Sequence, residues 1–323
     1  MIKDLVMDGR VIAALPNSAR ALIESDLPDW LEPRWFTGKA EAMAAAVGAT
    51  IGWFDLGNDK DFAEVVRNAT ELKWVFTLLS GVDGLPLAEL AARNIVLTNS
   101  PGLAAATVSE YVLLGMLSIA KGYRTMVRAQ DRHEWLTNPP GTAEITGSRA
   151  LVVGYGAIGQ TIEKRLQAFD IAVTVVRRSP SPDGHALGPD EWRARIGEFD
   201  WIILAAPATA VTGRMISARE LSAMKPSAVL LNVARGTLID QDALVASLTK
   251  REIAAAFLDV TDPEPLPADH PLWNLDNAHI TMHLSGRSQT GVLERGSRRF
   301  LQNLPRFAAG MPPLFQVDLT HGY

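Results

Sequence analysis

Short apolar runs alternate with amphipathic stretches along the first third of the chain. The apolar runs have the length of buried strands, and the stretches between them repeat apolar positions at helical spacing. This alternation predicts a parallel α/β domain. The predicted strands cover residues 11–15, 50–54, 74–78 and 95–98, and the predicted helices cover residues 18–24, 39–46, 61–69 and 87–93.

The same alternation of apolar and amphipathic stretches continues after the turn sequence Asn99-Ser100-Pro101-Gly102. One long helix is predicted over residues 104–128, followed by strands at 150–153, 172–176, 201–205, 229–232, 254–258 and 279–282. A helical pattern from residue 286 onward is expected to pack back on the first domain. We therefore expect one domain of residues 1–100 and 286–323, and a second of residues 101–285.

Gly154, Gly156 and Gly159 form a glycine fingerprint between a predicted strand and a predicted helix. The first glycine permits a tight turn, the second lets the backbone approach a pyrophosphate, and the third lets helix and strand pack closely. Phosphates then lie at the positive end of the helix dipole. In this context the fingerprint predicts a dinucleotide site.

The end of the next strand indicates which dinucleotide binds. An NAD site normally has an acidic residue there, which holds the ribose 2′-hydroxyl. Here the strand is followed by Arg177, Arg178 and Ser179, and guanidinium groups pair well with a 2′-phosphate. The sequence thus favours NADP(H) over NAD(H), although two arginines on a solvated loop would look the same.

Composition and charge narrow the function further. The 323 residues carry a net charge of -5, which argues against nucleic acid as a partner, and contain no cysteine, which excludes disulfides and thiolate metal sites. The N-terminal residues Met1-Ile2-Lys3-Asp4 lack a secretory core, and no apolar run is long enough to span a bilayer. A cytoplasmic enzyme is the expectation, with no membrane partner and no metal.

Three later segments each place a chemically useful side chain just past a predicted strand. They supply Arg235, Glu264 and His283. Open α/β sheets bind ligands at the carboxyl ends of their strands, so these side chains are candidates for one catalytic site. Each alone could instead be a structural ion pair, a solvated loop residue or a structural histidine.

With these segments, the chain resembles the D-isomer-specific 2-hydroxyacid dehydrogenases, including the glyoxylate/hydroxypyruvate reductases. The motifs that carry the resemblance, besides the fingerprint and the three segments, are Ser80-Gly81-Val82-Asp83, Val108-Ser109-Glu110, Pro207 with Thr212, and Met224-Lys225-Pro226. The resemblance implies two Rossmann-like parallel-sheet domains, a flavodoxin-like substrate domain and a dinucleotide-binding domain, with a cleft between them that closes on substrate.

The resemblance also implies roles for individual residues. His283 would protonate the carbonyl oxygen of a 2-oxo acid, and Glu264 would orient the imidazole and favour its charged form. Arg235 would grip the substrate carboxylate, helped by Ser80 and Gly81. Beyond the fingerprint and the arginines, the residues implied at the cofactor are Val108, Ala157, Ile158, Ala206, Pro207, Thr212, Val233, Ala234, Asp259, Ser285 and Gly286.

One residue departs from the family pattern. Met282 stands where many relatives have proline just before the histidine, so a less rigid loop is expected. The sequence favours a reductase that converts glyoxylate or hydroxypyruvate to the D-2-hydroxy acid with NADPH, acting as a homodimer. NAD-dependent oxidation of a D-2-hydroxy acid, oxidation of formate or phosphite, and a dinucleotide-sensing corepressor or scaffold on the same fold remain alternatives.

Overall fold

The computed structural model describes residues 11–82, 84–288 and 291–320. Met1-Ile2-Lys3-Asp4 and Asp83 of the Ser80 motif therefore lie outside the described residues. The chain divides into two compact units, one of Met1–Leu103 with Ser288–Tyr323 and one of Ala104–Arg287. The unit limits lie within a few residues of the predicted domain limits.

The helices vary from one turn to five turns in length. In chain order they are α1 (Arg20–Ile23), α2 (Gly38–Ala45), α3 (Asp59–Asn68), α4 (Leu87–Ala92), α5 (Ala105–Ala120), α6 (Tyr123–Asp131), α7 (Ala157–Gln167), α8 (Glu191–Arg195), α9 (Ala218–Ala223), α10 (Gln241–Lys250) and α11 (Gly291–Ala308). Among the helices of the described residues, none combines the length and the apolar character needed to cross a membrane.

The first unit contains a five-stranded parallel sheet in the order β2-β1-β3-β4-β5. This is the flavodoxin-like order. Its central strands are buried on both faces because crossover helices cover a parallel sheet on each side. The strands are β1 (Val11–Pro16), β2 (Leu31–Phe36), β3 (Ile51–Trp53), β4 (Trp74–Phe76) and β5 (Val96–Thr98).

The C-terminal helix α11 belongs to this first unit and packs on its sheet. The ring of Phe300 stacks on Trp74 at a centroid distance of 5.2 Å and tilts against Trp53 at 5.4 Å. All three side chains are fully buried. Large aromatic rings bury more apolar area than any other side chains, which explains how a segment so distant in sequence is held there.

The second unit contains a seven-stranded parallel sheet in the order β12-β11-β10-β9-β6-β7-β8. The order reverses between β6 and β9, which is the switch point of a Rossmann sheet. The predicted α/β class with two Rossmann-like parallel sheets is confirmed. The strands are β6 (Arg149–Val153), β7 (Ala172–Val176), β8 (Ala186–Leu187), β9 (Trp201–Leu204), β10 (Val229–Asn232), β11 (Ala255–Leu258) and β12 (Ala278–Ile280).

Three features differ from the sequence prediction. The single helix predicted over residues 104–128 is wrong, since α5 ends near Lys121 and α6 starts after Gly122, whose φ of 64° is left-handed. Glycine commonly ends a helix in this conformation. Strand β2 was not predicted because Pro33 interrupts it, which an edge strand tolerates, and β8 is too short to give a pattern.

Candidate active site

The predicted site segments of the second unit follow strands of one parallel sheet. Since all seven strands run in the same direction, their carboxyl ends meet at one edge of the sheet. The segments that begin there are 154–159 after β6, 177–179 after β7, 206–212 after β9, 233–236 after β10, 259–264 after β11 and 281–286 after β12. Ser80 and Gly81 lie after β4 in the first unit.

The glycine fingerprint forms a turn with open space at its centre. Gly154 has a φ of 106°, and a Cβ atom there would lie 2.5 Å from the backbone nitrogen of Ala206. A Cβ on Gly159 would lie 2.1 Å from the carbonyl oxygen of Gly154, whereas a Cβ on Gly156 would meet nothing within 4 Å. Gly154 and Gly159 are therefore required for packing, and Gly156 leaves room for a ligand.

The start of α7 completes this turn. The helix begins at Ala157, and no bond occupies the backbone N–H groups of Ala157 and Ile158 among the described residues. Unpaired N–H groups at a helix start bind phosphate well. The open space at Gly156 and these donors together fit the pyrophosphate of a dinucleotide.

Arg177, Arg178 and Ser179 are exposed at the carboxyl end of β7. The segment is tied to the next strand by the backbone N–H of Arg177, which donates to the carbonyl oxygen of Leu187 at 3.0 Å. In a Rossmann sheet this position faces the ribose that carries the 2′ substituent. The local charge is positive, which suits an anionic substituent.

Several residues expected at the cofactor are buried. Val108, Ala206 and Val233 are each less than 9% exposed and pack in the hydrophobic core of the second unit. A ligand would meet these positions mainly through the backbone. Pro207 is exposed, and its carbonyl oxygen accepts a 2.7 Å hydrogen bond from the Thr212 hydroxyl, which closes the loop after β9.

The loop after β10 carries Arg235 and is held by the buried residue Asn232. The Asn232 side-chain amide donates to the carbonyl oxygen of Arg235 at 2.8 Å, and its oxygen accepts from the N–H of Ala234 at 3.1 Å. A guanidinium nitrogen of Arg235 donates to the Ala234 carbonyl oxygen at 2.8 Å. The half-buried Arg235 side chain therefore stands on a fixed backbone.

Gly236 brings the Arg235 loop against the loop that carries Glu264. A Cβ at position 236 would lie 2.0 Å from the carbonyl oxygen of Thr261 and 2.6 Å from the backbone nitrogen of Asp262. Only glycine permits backbones to approach so closely. The two loops are thus in direct contact because residue 236 has no side chain.

Glu264 pairs with His283 at this sheet edge. The Glu264 Oε2 atom lies 2.7 Å from Nδ1 of His283, and Oε1 accepts from the N–H of Thr261 at 3.1 Å. Among the described residues, no hydrogen bond involves Nε2 of His283. An imidazole held through one nitrogen by a carboxylate presents the other nitrogen in a fixed orientation, as a general acid or base requires.

Asp259 organises the loop after β12 that carries His283. Its carboxylate is buried and accepts from the Thr281 hydroxyl at 2.7 Å, from the Leu284 N–H at 3.0 Å and from the Ser285 N–H at 3.2 Å. Its carbonyl oxygen accepts from the N–H of His283 at 2.5 Å. The sequence assigned Asp259 to the cofactor, whereas the contacts present here are with the histidine loop. The buried Ser285 and the half-buried Gly286 close that loop.

The backbone of Met282 adopts a conformation that proline does not fit. Met282 and His283 have φ values of 53° and 55°, in the left-handed region. Proline is fixed near a φ of −65°, so it does not fit this conformation. Asp259 forms hydrogen bonds with this loop, and the lower rigidity expected from the absence of proline stays a prediction.

Sequence reasoning missed Asn232 and Thr261 as supports of the site. The signal for Asn232 was a polar residue ending an apolar strand, while nothing local distinguished Thr261. Among the described residues, no cluster of three or more His, Cys, Asp or Glu side chains could hold a metal ion.

Comparisons with known proteins identify the family of the chain. Residues 113–285 match the model of the D-isomer specific 2-hydroxyacid dehydrogenase family, NAD binding domain. The chain is 29% identical over 269 residues to a glyoxylate reductase of Thermococcus litoralis, covering 80% of this chain and 81% of that protein. It is 30% identical over 236 residues to glyoxylate/hydroxypyruvate reductase B of Pectobacterium atrosepticum, covering 70% and 72%.

A solved structure extends the likeness to nearly the whole chain. It is a D-isomer specific 2-hydroxyacid dehydrogenase family protein from Aeromonas salmonicida, 27% identical, with a TM-score of 0.85 and coverage of 96% of this chain and 99% of that one. The matched segment, residues 113–285, spans the fingerprint, Arg235, Glu264 and His283. The chain therefore belongs to the D-isomer specific 2-hydroxyacid dehydrogenase family.

Proposed function

We propose that this protein reduces a small 2-oxo acid, glyoxylate or hydroxypyruvate, to the D-2-hydroxy acid with NADPH. The observation that carries the proposal is the His283–Glu264 pair, in which Nδ1 and Oε2 are 2.7 Å apart. The pair lies at the sheet edge where the Arg235 loop and the dinucleotide turn also begin. The relatives from Thermococcus litoralis and Pectobacterium atrosepticum, named as reductases of these acids, support the substrate class.

His283 acts as the general acid in this proposal. When bound, NADPH would provide the hydride that reduces the carbonyl carbon of the substrate, so the carbonyl oxygen must gain a proton. Nε2 of His283 donates that proton, while Glu264 holds Nδ1 and keeps the ring oriented. In the reverse direction the same nitrogen accepts the proton from the hydroxyl group.

Arg235 binds the substrate carboxylate and polarises the carbonyl group. Its guanidinium presents parallel N–H donors in the fork that matches a carboxylate. The loop contacts of Asn232 and Gly236 hold its backbone in place before substrate arrives. A donor positioned in advance stabilises developing charge without reorganisation.

Ser80 and Gly81 are proposed to add backbone donors for the substrate carboxylate. Among the described residues, no acceptor is bonded to the N–H groups of these two residues. The turn is fixed by the Ser80 hydroxyl, which donates to the carbonyl oxygen of Ser100 at 3.1 Å, and by the Asn99 amide, which donates to the Ser80 carbonyl oxygen at 2.7 Å. Adjacent unpaired N–H groups suit an anion.

The preference for NADPH rests on Arg177, Arg178 and Ser179. These residues are exposed at the end of β7, where an acidic residue would repel a 2′-phosphate. Two guanidinium groups and a hydroxyl provide donors for the phosphate oxygens.

The protein is further proposed to act as a homodimer, and a cytoplasmic location stays a prediction. Leu114 on α5, Tyr123 and Met126 on α6, and Trp135 just beyond are large exposed apolar side chains in one stretch of chain. Such a concentration favours a covered surface, and a second copy would cover it. Light scattering should give twice the monomer mass, and Leu114→Glu should reduce it to the monomer mass.

Initial rates test the proposed reaction. The purified protein is mixed with glyoxylate, hydroxypyruvate, pyruvate or phenylpyruvate, each with NADPH and with NADH, and the loss of nicotinamide absorbance is followed. We expect the fastest rates with NADPH and one of the first two acids. His283→Gln is the control, since it should bind NADPH and not turn over.

Other outcomes would refute part of this proposal or indicate a different function. Tight dinucleotide binding without turnover of any acid would refute the reductase and favour a cofactor-sensing corepressor or scaffold. Equal or faster rates with NADH would refute the NADPH preference. Oxidation of formate or phosphite, without reduction of any 2-oxo acid, would also refute the substrate class.

A further inference from the structure

Glu163 is a buried carboxylate that the proposed reaction does not use. It lies on α7, the helix that starts at the glycine fingerprint, and its side chain is only 9% exposed. Burying a carboxylate is costly unless donors compensate it. Its Oε2 accepts from the Tyr155 hydroxyl, and its Oε1 pairs with Nε2 of His185 at 2.8 Å and accepts from the Gln167 amide at 3.3 Å.

These partners come from two segments that would contact neighbouring parts of the cofactor, the pyrophosphate and the ribose that carries the 2′-phosphate. Tyr155 stands between the first two glycines of the fingerprint, in the turn that fits the pyrophosphate. His185 lies on the segment that starts with Arg177 and ends at β8. Glu163 therefore ties the phosphate-binding turn to the segment that carries the arginines.

The backbone of His185 is held by hydrogen bonds at both its N–H group and its carbonyl oxygen. The backbone N–H of His185 donates to the Asp183 carboxylate at 3.1 Å, which also accepts from the Ser181 hydroxyl at 2.6 Å. The carbonyl oxygen of His185 accepts from the N–H of Val175 on β7 at 2.9 Å. A restraint on the imidazole is thus transmitted to the backbone of the whole segment.

Tyr155 donates to Glu163 as a protonated phenol and lies near Arg177. The hydrogen bond to Glu163 is the main cause that raises the pKa of Tyr155, with burial and the Glu163 charge adding to it and the nearby Arg177 charge opposing it. The phenol therefore stays protonated and donates to Glu163. Among the described residues, no carboxylate forms an ion pair with Arg177.

We propose that Glu163 is a positioning residue for the 2′-phosphate of the cofactor. Through Tyr155 and His185 it holds the segment of residues 177–185 against the phosphate-binding turn, and it thereby sets the preference for NADPH over NADH. The inference rests on the NADPH preference of the proposed function. Glu163 itself does not contact the phosphate.

Titration calorimetry with two small probes tests this role without any turnover. The probe 2′,5′-ADP carries the 2′-phosphate, and 5′-AMP lacks it. We expect the wild-type protein to bind 2′,5′-ADP more tightly. Glu163→Ala should weaken 2′,5′-ADP binding about tenfold, equivalent to about 1.4 kcal/mol, and should leave 5′-AMP binding nearly unchanged. Lys164→Ala, the exposed neighbour on the same helix, is the matched control and should keep both affinities.

The outcomes separate this inference from the proposed function. Equal wild-type affinities for the two probes would refute the NADPH preference. A wild-type preference that Glu163→Ala retains would overturn the role of Glu163 alone, and so would an equal loss for both probes. If Glu163→Ala does not fold, Tyr155→Phe removes only one hydroxyl and should still weaken 2′,5′-ADP selectively; an unchanged ratio would again overturn the role.

Discussion

Replacement of Asp259 by alanine should release the loop that carries the proposed general acid, His283. The Asp259 carboxylate holds this loop through the Thr281 hydroxyl and the N–H groups of Leu284 and Ser285. The bonds are made inside the second unit, where the carboxylate is 1% exposed. The perturbation therefore acts on loop conformation and leaves His283 itself unchanged.

The magnitude follows from the backbone of the loop. Left-handed φ values cost roughly 1–2 kcal/mol for each non-glycine residue, so Met282 and His283 together require about 2–4 kcal/mol. Hydrogen bonds to a charged group contribute about 1.5–3 kcal/mol each, so the three side-chain bonds are enough to hold this conformation. Without these hydrogen bonds, other loop conformations are favoured by at least about 2 kcal/mol. The population of the catalytically productive loop conformation then falls about 30-fold.

The assay is steady-state kinetics with the best 2-oxo acid and NADPH, together with the melting temperature. We expect kcat of Asp259→Ala to fall at least about 30-fold, by the same conversion, while the KM for NADPH changes little. Asp259→Asn is the graded control, since its side-chain oxygen still accepts hydrogen bonds, and it should lose less activity than the alanine variant.

Two results would refute this reasoning. A folded Asp259→Ala protein with wild-type kcat would show that the bonds do not maintain the catalytic loop. A raised KM for NADPH with unchanged kcat would instead place Asp259 at the cofactor, as the family resemblance implies.

Three further predictions concern packing, backbone and pH. Gly236→Ala should lower both kcat/KM and the melting temperature, because its Cβ would lie 2.0 Å from the Thr261 carbonyl oxygen. Gly213→Ala is the control, since its Cβ would have a nearest contact of 3.8 Å. Equal effects of the two variants would contradict the packing argument. Met282→Pro should reduce kcat at least about tenfold, since proline cannot adopt a φ of 53°; unchanged kcat would show that the loop functions in another conformation. Burial, helped by two neighbouring arginines, lowers the pKa of His279 from 6.5 to about 4. The unfolded chain therefore binds this proton more tightly, and stability contributed by neutral His279 is lost as the pH falls from 6.5 to about 4. Urea midpoints should decrease less over this range in His279→Gln than in the wild type, and parallel decreases would refute the assignment.

Much of the fold could be predicted from the sequence because its signals are local. Strand length, helical spacing and the glycines of the fingerprint act over a few residues, so they predicted the parallel sheets and the dinucleotide turn. The break at Gly122 was missed, since apolar residues continue on both sides of it and only the backbone conformation ends the helix. Strand β2 was missed because its charged residues and Pro33 resemble a loop until the edge of a sheet is known.

The sequence by itself determined which chemical groups are candidates for the site and that they follow strands of one sheet. Tertiary structure decided how they are held: His283 meets Glu264 across 19 residues of chain, and Gly236 lets two loops touch. The contacts that Asp259 and Glu163 make with distant residues also form only in the folded chain. Hydrogen bonds and steric contacts act over a few ångströms in space, whereas sequence patterns report only on neighbours along the chain.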